Sequence, residues 1–291
     1  MSNANYLLEP VRLRLRGKGG IDLAADHFGP EDGPLVVFLH GGGQTRHSWK
    51  QTGAKLGLAG MRVVTLDARG HGDSAWAEDR DYSRASMVAD LLAVLEQLGA
   101  TPERPAVVVG ASMGGITGLL TAAAPGEAGI AALVLVDIVT RPEAEGVDRV
   151  IGFLSRHRDG FDTVEQAADA VAAYMPHRPR PKSTDGLLRN LREREGRWYW
   201  HWDPDMLSGR VADPETMTEV METAARTLTI PVLLVRGMRS DVVSPEGAAA
   251  FLELVPHAEM VEIGGAAHTA AGDDNDAFTD AVANFVLRVR D

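Results

Sequence analysis

Short runs of apolar residues recur along the chain, and most of them end abruptly in glycine or in a polar residue. The runs cover residues 35–39, 61–66, 105–109, 132–136 and 231–235. They are rich in valine and leucine, which is typical of short strands that are buried on both faces of a sheet. Residues 258–263 predict a further strand near the C-terminus.

The segments between these runs have helical periodicity. From residue 86 to residue 98, apolar side chains recur at the three- and four-residue spacing of an amphipathic helix, and Gly99 follows. Helices are also predicted over residues 45–58, 245–254 and 274–289. Strands that alternate with helices in this way predict a parallel sheet that is covered by helices on both faces.

Two segments depart from this alternation. Residues 11–17 alternate strictly between apolar and polar side chains and can pair with residues 21–28 as a hairpin. Residues 141–226 contain no strand-like apolar run, and we expect them to form a helical lid. The chain is therefore predicted to consist of an α/β core, formed by residues 1–140 and 227–291, with a lid of residues 141–226 inserted into it.

Composition narrows the possible partners. The chain has 291 residues and a formal net charge of −12, so its surface is too acidic for nucleic acid to be a main partner. It contains no cysteine, which excludes disulfides and thiolate catalysis. Residues 1–10 lack the pattern of a signal peptide, and no apolar run approaches the ~20 residues that cross a bilayer. We expect a cytoplasmic protein without a membrane partner. The sequence leaves open whether the chain forms a homo-oligomer.

The first candidate for chemistry is the segment Gly110-Ala-Ser-Met-Gly-Gly115, which follows a buried strand and precedes a helix-compatible segment. A sharp strand-to-helix turn strains the backbone at Ser112 and leaves no space for side chains beside it, so glycines must flank the serine. Such a turn would expose the Ser112 hydroxyl above the sheet, as in a nucleophile elbow.

Other polar residues also follow the predicted strands. In an open parallel sheet, ligands bind beyond the carboxyl ends of the strands, so these residues should lie near one another. A serine hydroxyl needs an adjacent base, and a histidine base needs a carboxylate to fix its tautomer. The residues at these strand ends are His40, Asp67, Ser112, Asp137, Asp241 and His268.

With these motifs the chain resembles the α/β-hydrolases from residue 35 to residue 268, apart from the insertion. The motifs, in order, are His40-Gly-Gly-Gly, Asp67-x-Arg-Gly-His-Gly-Asp-Ser74, Gly110-x-Ser-x-Gly-Gly115, and Asp241 with His268. The resemblance is greatest to the single-chain, lid-bearing branch that includes small carboxylesterases, cofactor-free haloperoxidases and C–C hydrolases. It implies an eight-stranded, mostly parallel sheet and a site without a cofactor or metal.

The resemblance also assigns roles to residues. It implies that Ser112 is the nucleophile, Asp241 the acid and His268 the base, while Asp137 occupies a position where some relatives place the acid. The backbone amides of Met113 and Gly42 are expected to form the oxyanion hole. The residues expected to contact the substrate are Gly41, Gly43, Gln44, Trp49, Trp198 and Trp200.

Several polar residues favour a structural role. We expect His40 to hold the oxyanion loop, and Asp67 to pair with the nearby Arg69 as a loop brace. The alternating aromatic residues 198–202 suit either the core of the lid or the wall of an apolar pocket. A basic stretch, residues 177–200, suggests either a solvated and internally paired face or a surface that steers anions.

The sequence therefore predicts a serine esterase that forms an acyl-enzyme intermediate on a small-molecule ester. The same residues would serve a C–C hydrolase of a diketone-type substrate or a cofactor-free perhydrolase. A non-catalytic, ligand-binding relative is a further alternative, although it would have no need of Ser112, Asp241 and His268 together. Epoxide hydrolases and haloalkane dehalogenases would require an aspartate at position 112.

Overall fold

The fold is built on one eight-stranded sheet. The computed structural model describes residues 8–124, 129–175, 183–184, 186–207, 213–264 and 276–289. The strands of the sheet are β1 (Val11–Arg16), β2 (Asp22–Phe28), β3 (Leu35–Leu39), β4 (Arg62–Leu66), β5 (Ala106–Ala111), β6 (Ile130–Val136), β9 (Val232–Gly237) and β10 (Glu259–Ile263). Their spatial order is β1-β2-β4-β3-β5-β6-β9-β10. Within this sheet the β1–β2 and β2–β4 pairs are antiparallel and the other described pairs are parallel, which confirms the predicted mostly parallel sheet.

Helices cover both faces of this sheet. The α-helices of the described residues are α1 (Lys50–Leu58), α2 (Arg84–Gln97), α3 (Met113–Ala122), α4 (Ala144–Ser155), α5 (Val164–Tyr174), α6 (Pro214–Arg226), α7 (Pro245–Leu254) and α8 (Asp276–Val289), of which α4 and α5 belong to the insertion. Residues of α1 and α8 form the core on one face, and residues of α2, α3, α6 and α7 form the core on the other. In β5, Val108 faces one core while Val107 and Val109 face the opposite one. Burial on both faces explains the uninterrupted valine run.

The insertion is not wholly helical, in contrast to the prediction. Besides α4 and α5 it contains an antiparallel hairpin of β7 (Leu191–Arg194) and β8 (Arg197–Trp200). Alternating aromatic residues suit the two-residue period of a strand, and Trp200 is buried while charged residues occupy the turn. The helix α6 packs on α3 and α7 instead. Helix α6 therefore packs with the core, and the part of the insertion that faces Ser112 ends before this helix.

The arginines of the basic stretch that the structure describes are mostly paired. Arg192 pairs with Asp73, Arg197 with Asp162, and Arg194 lies over the ring of Trp76. Arg178, Arg180 and Lys182 lie outside the described residues. These pairings favour the internally paired face over the anion-steering surface. Nowhere in the described part of the chain is a helix both long and apolar enough to cross a membrane.

Candidate active site

Ser112 lies on a sharp turn between β5 and α3. Its backbone has φ 45° and ψ −112°, a strained conformation for a residue with a side chain. The amide of Ser112 donates a 3.1 Å hydrogen bond to the carbonyl of Val136, so the neighbouring strand β6 holds the turn in place. The side chain is partly exposed and faces a cavity. These features are those of a nucleophile elbow.

Close packing of α3 against the sheet explains the flanking glycines. A Cβ atom on Gly110 would lie 2.4 Å from the carbonyl oxygen of Gly114, and one on Gly114 would lie 2.5 Å from that of Leu39. Both distances are far below a van der Waals contact, and the partner atoms are backbone that cannot rotate away. The motif therefore needs glycine on both sides of the serine so that α3 can begin directly above β3 and β5.

A cavity of about 200 Å³ separates Ser112 from the insertion. Its walls come from the glycine loop after β3, from the end of β5 and from the insertion. The insertion contributes mainly apolar and aromatic side chains. The lining residues are Gly41, Gly42, Gly43, Gln44, Ser48, Ala111, Ser112, Val150, Phe153, Leu154, Val171, Tyr174, Met175, Leu187, Asn190, Trp200 and Trp202.

Four of the six residues expected to contact the substrate line this cavity, namely Gly41, Gly43, Gln44 and Trp200. Trp49 does not, because it is fully buried between Phe38 and Phe278 in the core beneath the sheet. Trp198 packs against the apolar cluster of the insertion and pairs with Phe161. Trp49 is a core residue, and Trp198 lies outside the lining.

The sequence-based expectation missed most of the wall that the insertion provides. Trp202 stacks on Trp200 with ring centroids 4.9 Å apart, and Phe153 stacks on Tyr174 at 4.3 Å. The two-residue spacing of Trp200 and Trp202 was a usable signal. Phe153 and Tyr174 come from two different helices, and no local pattern indicates that they meet.

The glycine loop and the start of α3 both lie beside Ser112. The amides of Gly41 and Gly43 donate to Gln44 Oε1 and His71 Nε2. Within the described ranges, the amide of Gly42 donates to no residue. The first bond of the α3 ladder runs from the amide of Ile116 to the carbonyl of Ser112, so the N–H of Met113 precedes the ladder. The two amides expected for an oxyanion hole are thus not used by the secondary structure.

Three buried histidines surround the glycine loop. His40, His71 and His201 are at most 1% exposed, and their ring centroids follow one another at 5.0 and 5.9 Å. His40 follows β3, His71 belongs to the loop after β4, and His201 follows β8 of the insertion. The rings therefore connect three segments that are far apart in the sequence.

The hydrogen bonds of these rings define their tautomers. A backbone N–H can only donate, so a ring nitrogen that faces one must be unprotonated. Nε2 of His40 accepts from the amide of Ala68 at 3.0 Å, so Nδ1 carries the proton and donates to the carbonyl of Gly41 at 2.8 Å. His40 thus holds the glycine loop, as the sequence predicted.

The other two rings are equally constrained. Nε2 of His71 accepts from the amide of Gly43 at 3.2 Å, while Nδ1 donates to the carbonyl of Arg69 at 3.1 Å. Nδ1 of His201 accepts from the amide of Gly72 at 2.8 Å, and Nε2 donates to the carbonyl of Gly43 at 3.2 Å. Every ring nitrogen of the three histidines bonds to the backbone, so none is available to a metal. Among the described residues there is no group of three or more potential ligands that could hold a metal ion.

Burial keeps all three rings neutral. It lowers the pKa of His40 and His201, and it lowers that of His71 to about 3, assisted by the neighbouring His40. The unfolded chain takes up a proton at each ring near pH 6.5, whereas the folded chain does so only at a lower pH. The neutral rings therefore make their full contribution to the free energy of unfolding above pH 6.5. This contribution decreases as the pH falls from 6.5 toward the pKa of each ring in the folded chain.

Below pH 6.5 we expect the free energy of unfolding to fall by about 1.4 kcal/mol per pH unit from His71 alone, and His40 and His201 contribute in the same direction. Urea unfolding of the wild type at pH 7, 6 and 5 measures the total slope, to which the lowered pKa values of His27 and His47 also contribute. The variant His71→Gln should reduce this slope by the contribution of one proton, which is about 1.4 kcal/mol per pH unit. An unchanged slope in that variant would contradict a neutral His71.

The loop after β4 is braced by pairs that differ from the prediction. Asp67 pairs with Arg46 and not with Arg69, and it also accepts from the amides of Arg46 and Asp73. Arg69 instead forms a bidentate pair with Asp90, with N···O distances of 2.6 and 2.7 Å. Sequence proximity favoured Asp67 with Arg69, but the fold buries Arg46, which is more distant in the sequence, against Asp67 instead. Ion pairs thus brace the loop after β4 as predicted, but their partners differ from the predicted pair.

Of the residues expected to activate Ser112, Asp241 follows β9 and His268 lies outside the described residues. The carboxylate of Asp241 pairs with Arg149 of α4 through Oδ2, and its side chain is 30% exposed. Asp241 also lies near the cavity wall. Burial, and then the charge of Asp241, raise the pKa of the cavity residue Tyr174 to about 12.

Asp137 directly follows β6, the strand next to β5. It is 1% exposed and has φ 49°, and its carboxylate accepts from the amide of Gly237 and from the hydroxyl of Ser240, at 3.0 and 2.5 Å. The Ser240 hydroxyl in turn accepts from the amides of Val242 and Val243. Asp137 therefore organises the loop that carries Asp241.

The fold agrees with the comparisons to known proteins. Residues 36–281 match the model of the alpha/beta hydrolase family, and the chain belongs to that family. Esterase Rv0045c of Mycobacterium tuberculosis is 32% identical over 79% of this chain and 74% of its own length. The sn-1-specific diacylglycerol lipase ABHD11 of Mus musculus is 30% identical over 87% of this chain and 81% of its own. An alpha/beta hydrolase structure from Novosphingobium aromaticivorans has a TM-score of 0.81 at 26% identity, covering 97% of this chain and 99% of its own.

Proposed function

We propose that this hydrolase cleaves carboxylic esters through an acyl-enzyme intermediate on Ser112. The observation that carries the proposal is the strained Ser112 turn, which presents the side chain to a cavity beside two unused amides. A serine on such a turn suits nucleophilic attack, and the amides of Gly42 and Met113 suit an oxyanion. The relatives named as an esterase and as a diacylglycerol lipase support ester chemistry.

The proposed reaction has two halves. The Ser112 hydroxyl attacks the ester carbonyl while its proton passes to His268, and the amides of Gly42 and Met113 stabilise the oxyanion. Collapse of this intermediate breaks the C–O bond, and the leaving alcohol takes the proton from His268. Water then attacks the acyl-enzyme, again giving its proton to His268, and the acid leaves while Ser112 regains its proton.

We propose Asp241 as the carboxylate that orients His268. Its Oδ1 atom has no partner among the described residues, and its charge reaches the cavity wall at Tyr174. Asp137 is the second candidate, because it is buried next to the strand that carries Ser112. Both carboxylates lie beyond the carboxyl ends of their strands, so variants must separate them.

The lining of the cavity indicates which class of acyl group the ester substrate carries. None of the described residues that line it carries a charge at neutral pH, and the raised pKa keeps Tyr174 a neutral phenol. An anionic acyl chain would lose its hydration there without gaining a cationic partner. At about 200 Å³ the space suits a short or medium neutral acyl chain better than a long one.

A pair of matched substrates tests this class. We expect the p-nitrophenyl ester of butyric acid to react with a kcat/KM at least about 100-fold higher than the mono-p-nitrophenyl ester of succinic acid, which carries a carboxylate on a four-carbon chain. A series of neutral p-nitrophenyl esters then locates the best chain length. Equal rates for the charged and neutral esters would contradict a neutral acyl pocket.

The choice of substrate also separates the alternative chemistries. A C–C hydrolase or a perhydrolase would use the same serine, but its best substrate would be a diketone or an ester with peroxide as the acyl acceptor. Absence of ester turnover, combined with cleavage of a vinylogous diketone, would reassign the activity. Saturable binding of an ester without turnover would indicate a ligand-binding protein.

A further inference from the structure

The glycine loop consists of three consecutive peptide planes, and each is held by a different histidine. The plane that joins Gly41 to Gly42 is held at the Gly41 carbonyl, which accepts from Nδ1 of His40. The next plane is held at the amide of Gly43, which donates to Nε2 of His71. The third plane, from Gly43 to Gln44, is held at the Gly43 carbonyl, which accepts from Nε2 of His201.

These bonds determine where the loop amides point. In a trans peptide the N–H and C=O groups point in opposite directions. The carbonyl of Gly41 accepts from His40 and from the amide of Gln44 at 3.1 Å, so the N–H of Gly42 faces away from both. The Gln44 amide belongs to the third plane, and rotation of that plane would also disturb the bond that orients Gly42.

Only one of the three histidines belongs to the insertion. His40 and His71 follow strands of the central sheet, whereas His201 follows β8. His201 also accepts from the amide of Gly72, so its ring is held between two loops of the core. The third plane therefore depends on the insertion being in place.

The insertion also packs on the same glycine. A Cβ atom on Gly43 would lie 2.5 Å from Leu154 Cδ2 and 3.3 Å from Trp202 Cζ3. Both side chains belong to the apolar cluster of the insertion. Gly43 has φ 73° and no side chain, so without these contacts its backbone would have wide freedom to rotate.

We propose that His201 is a positioning residue that makes formation of the oxyanion hole depend on the seating of the insertion. When the insertion is seated, His201 fixes the Gly43–Gln44 plane, and the Gln44 amide then helps to orient Gly42. When the insertion lifts, the plane is released and the hole loses its order. The proposal rests on the proposed function, since it assigns the amide of Gly42 to the oxyanion.

Two conservative variants separate the two bonds of His201. The amide nitrogen of a glutamine reaches the position of Nε2 and can still donate to the Gly43 carbonyl, so His201→Gln should keep kcat within about threefold. An asparagine reaches only the position of Nδ1 and keeps the bond from the Gly72 amide. His201→Asn should therefore lower kcat about 10- to 100-fold with KM changed less than about threefold. The reason is that a misplaced Gly42 amide stabilises the transition state less, whereas binding of the ground state depends little on it.

Arg192→Gln is the matched control. Arg192 also joins the insertion to the core, through the Gly72 carbonyl and Asp73, but it does not contact the glycine loop. We expect this variant to keep kcat within about twofold. Equal losses in Arg192→Gln and His201→Asn would show that general loosening of the insertion, and not the Gly43 bond, lowers the rate, and would overturn the proposal.

Amide hydrogen exchange of the wild type tests the same coupling without substrate. The amide of Gly43 donates to His71, and that of Asp203, in the insertion, donates to the carbonyl of Gly70 at 2.8 Å. If both open together, their protection factors should agree within about threefold. Much faster exchange at Asp203 than at Gly43 would overturn the coupling, whereas absence of ester turnover with matched protection would contradict only the proposed function.

Discussion

Ester turnover should fall by about 10⁴-fold or more when Ser112 is replaced by alanine. The nucleophile and its base act as a unit, so loss of the hydroxyl removes covalent catalysis entirely and leaves only the stabilisation that the amides provide. The change should appear in kcat, because the cavity beside Ser112 remains. Steady-state hydrolysis of the best p-nitrophenyl ester by both proteins measures it.

Ser48 supplies the matched serine-to-alanine control. It lines the same cavity, but it lies after the glycine loop and not on the strained turn. We expect Ser48→Ala to keep kcat within about fivefold and to act mainly on KM. Retention of more than a few per cent of the activity in Ser112→Ala would exclude Ser112 as the nucleophile.

The second large effect concerns the carboxylate. We expect Asp241→Asn to lower kcat by about 10³- to 10⁴-fold, because an amide at this position no longer holds the imidazole in the tautomer that accepts the serine proton. Since Asp241 also pairs with Arg149, the variant Arg149→Gln removes that ion pair and leaves the carboxylate in place. This control should keep kcat within a few-fold.

Asp137→Asn shows whether the second candidate holds the role instead. Its carboxylate accepts from the amide of Gly237 and the hydroxyl of Ser240, so the variant should chiefly destabilise the loop that these bonds organise. We expect a lower unfolding temperature and a modest loss of kcat. If Asp137→Asn lowers kcat about 10³-fold at an unchanged melting temperature while Asp241→Asn does not, the acid is Asp137.

The sequence predicted the sheet and the serine turn well, because both depend on local signals. An uninterrupted run from Val107 to Val109 requires burial on both faces, and glycine at 110 and 114 is the one residue that the packing of α3 allows. The number of strands and their mostly parallel arrangement follow from the family resemblance. Such features can be predicted because each is encoded within a few neighbouring residues.

What the sequence could not show depends on partners that are distant along the chain. Asp67 pairs with Arg46, 21 residues away, because both are buried at the same sheet edge. His201 contacts Gly43 across 158 residues. The cavity wall formed by Phe153 and Tyr174 likewise depends on how two helices of the insertion pack, and amphipathic periodicity does not determine that.

The most direct test of ester hydrolysis through Ser112 is to trap the acyl-enzyme. The wild type is mixed with an excess of a p-nitrophenyl ester and quenched in acid within milliseconds, and the intact mass and the peptide carrying residue 112 are measured. We predict one acyl group per chain, attached to Ser112, together with a burst of about one p-nitrophenol per site and neither signal in Ser112→Ala. Turnover without an adduct, or an adduct on another residue, would contradict the mechanism.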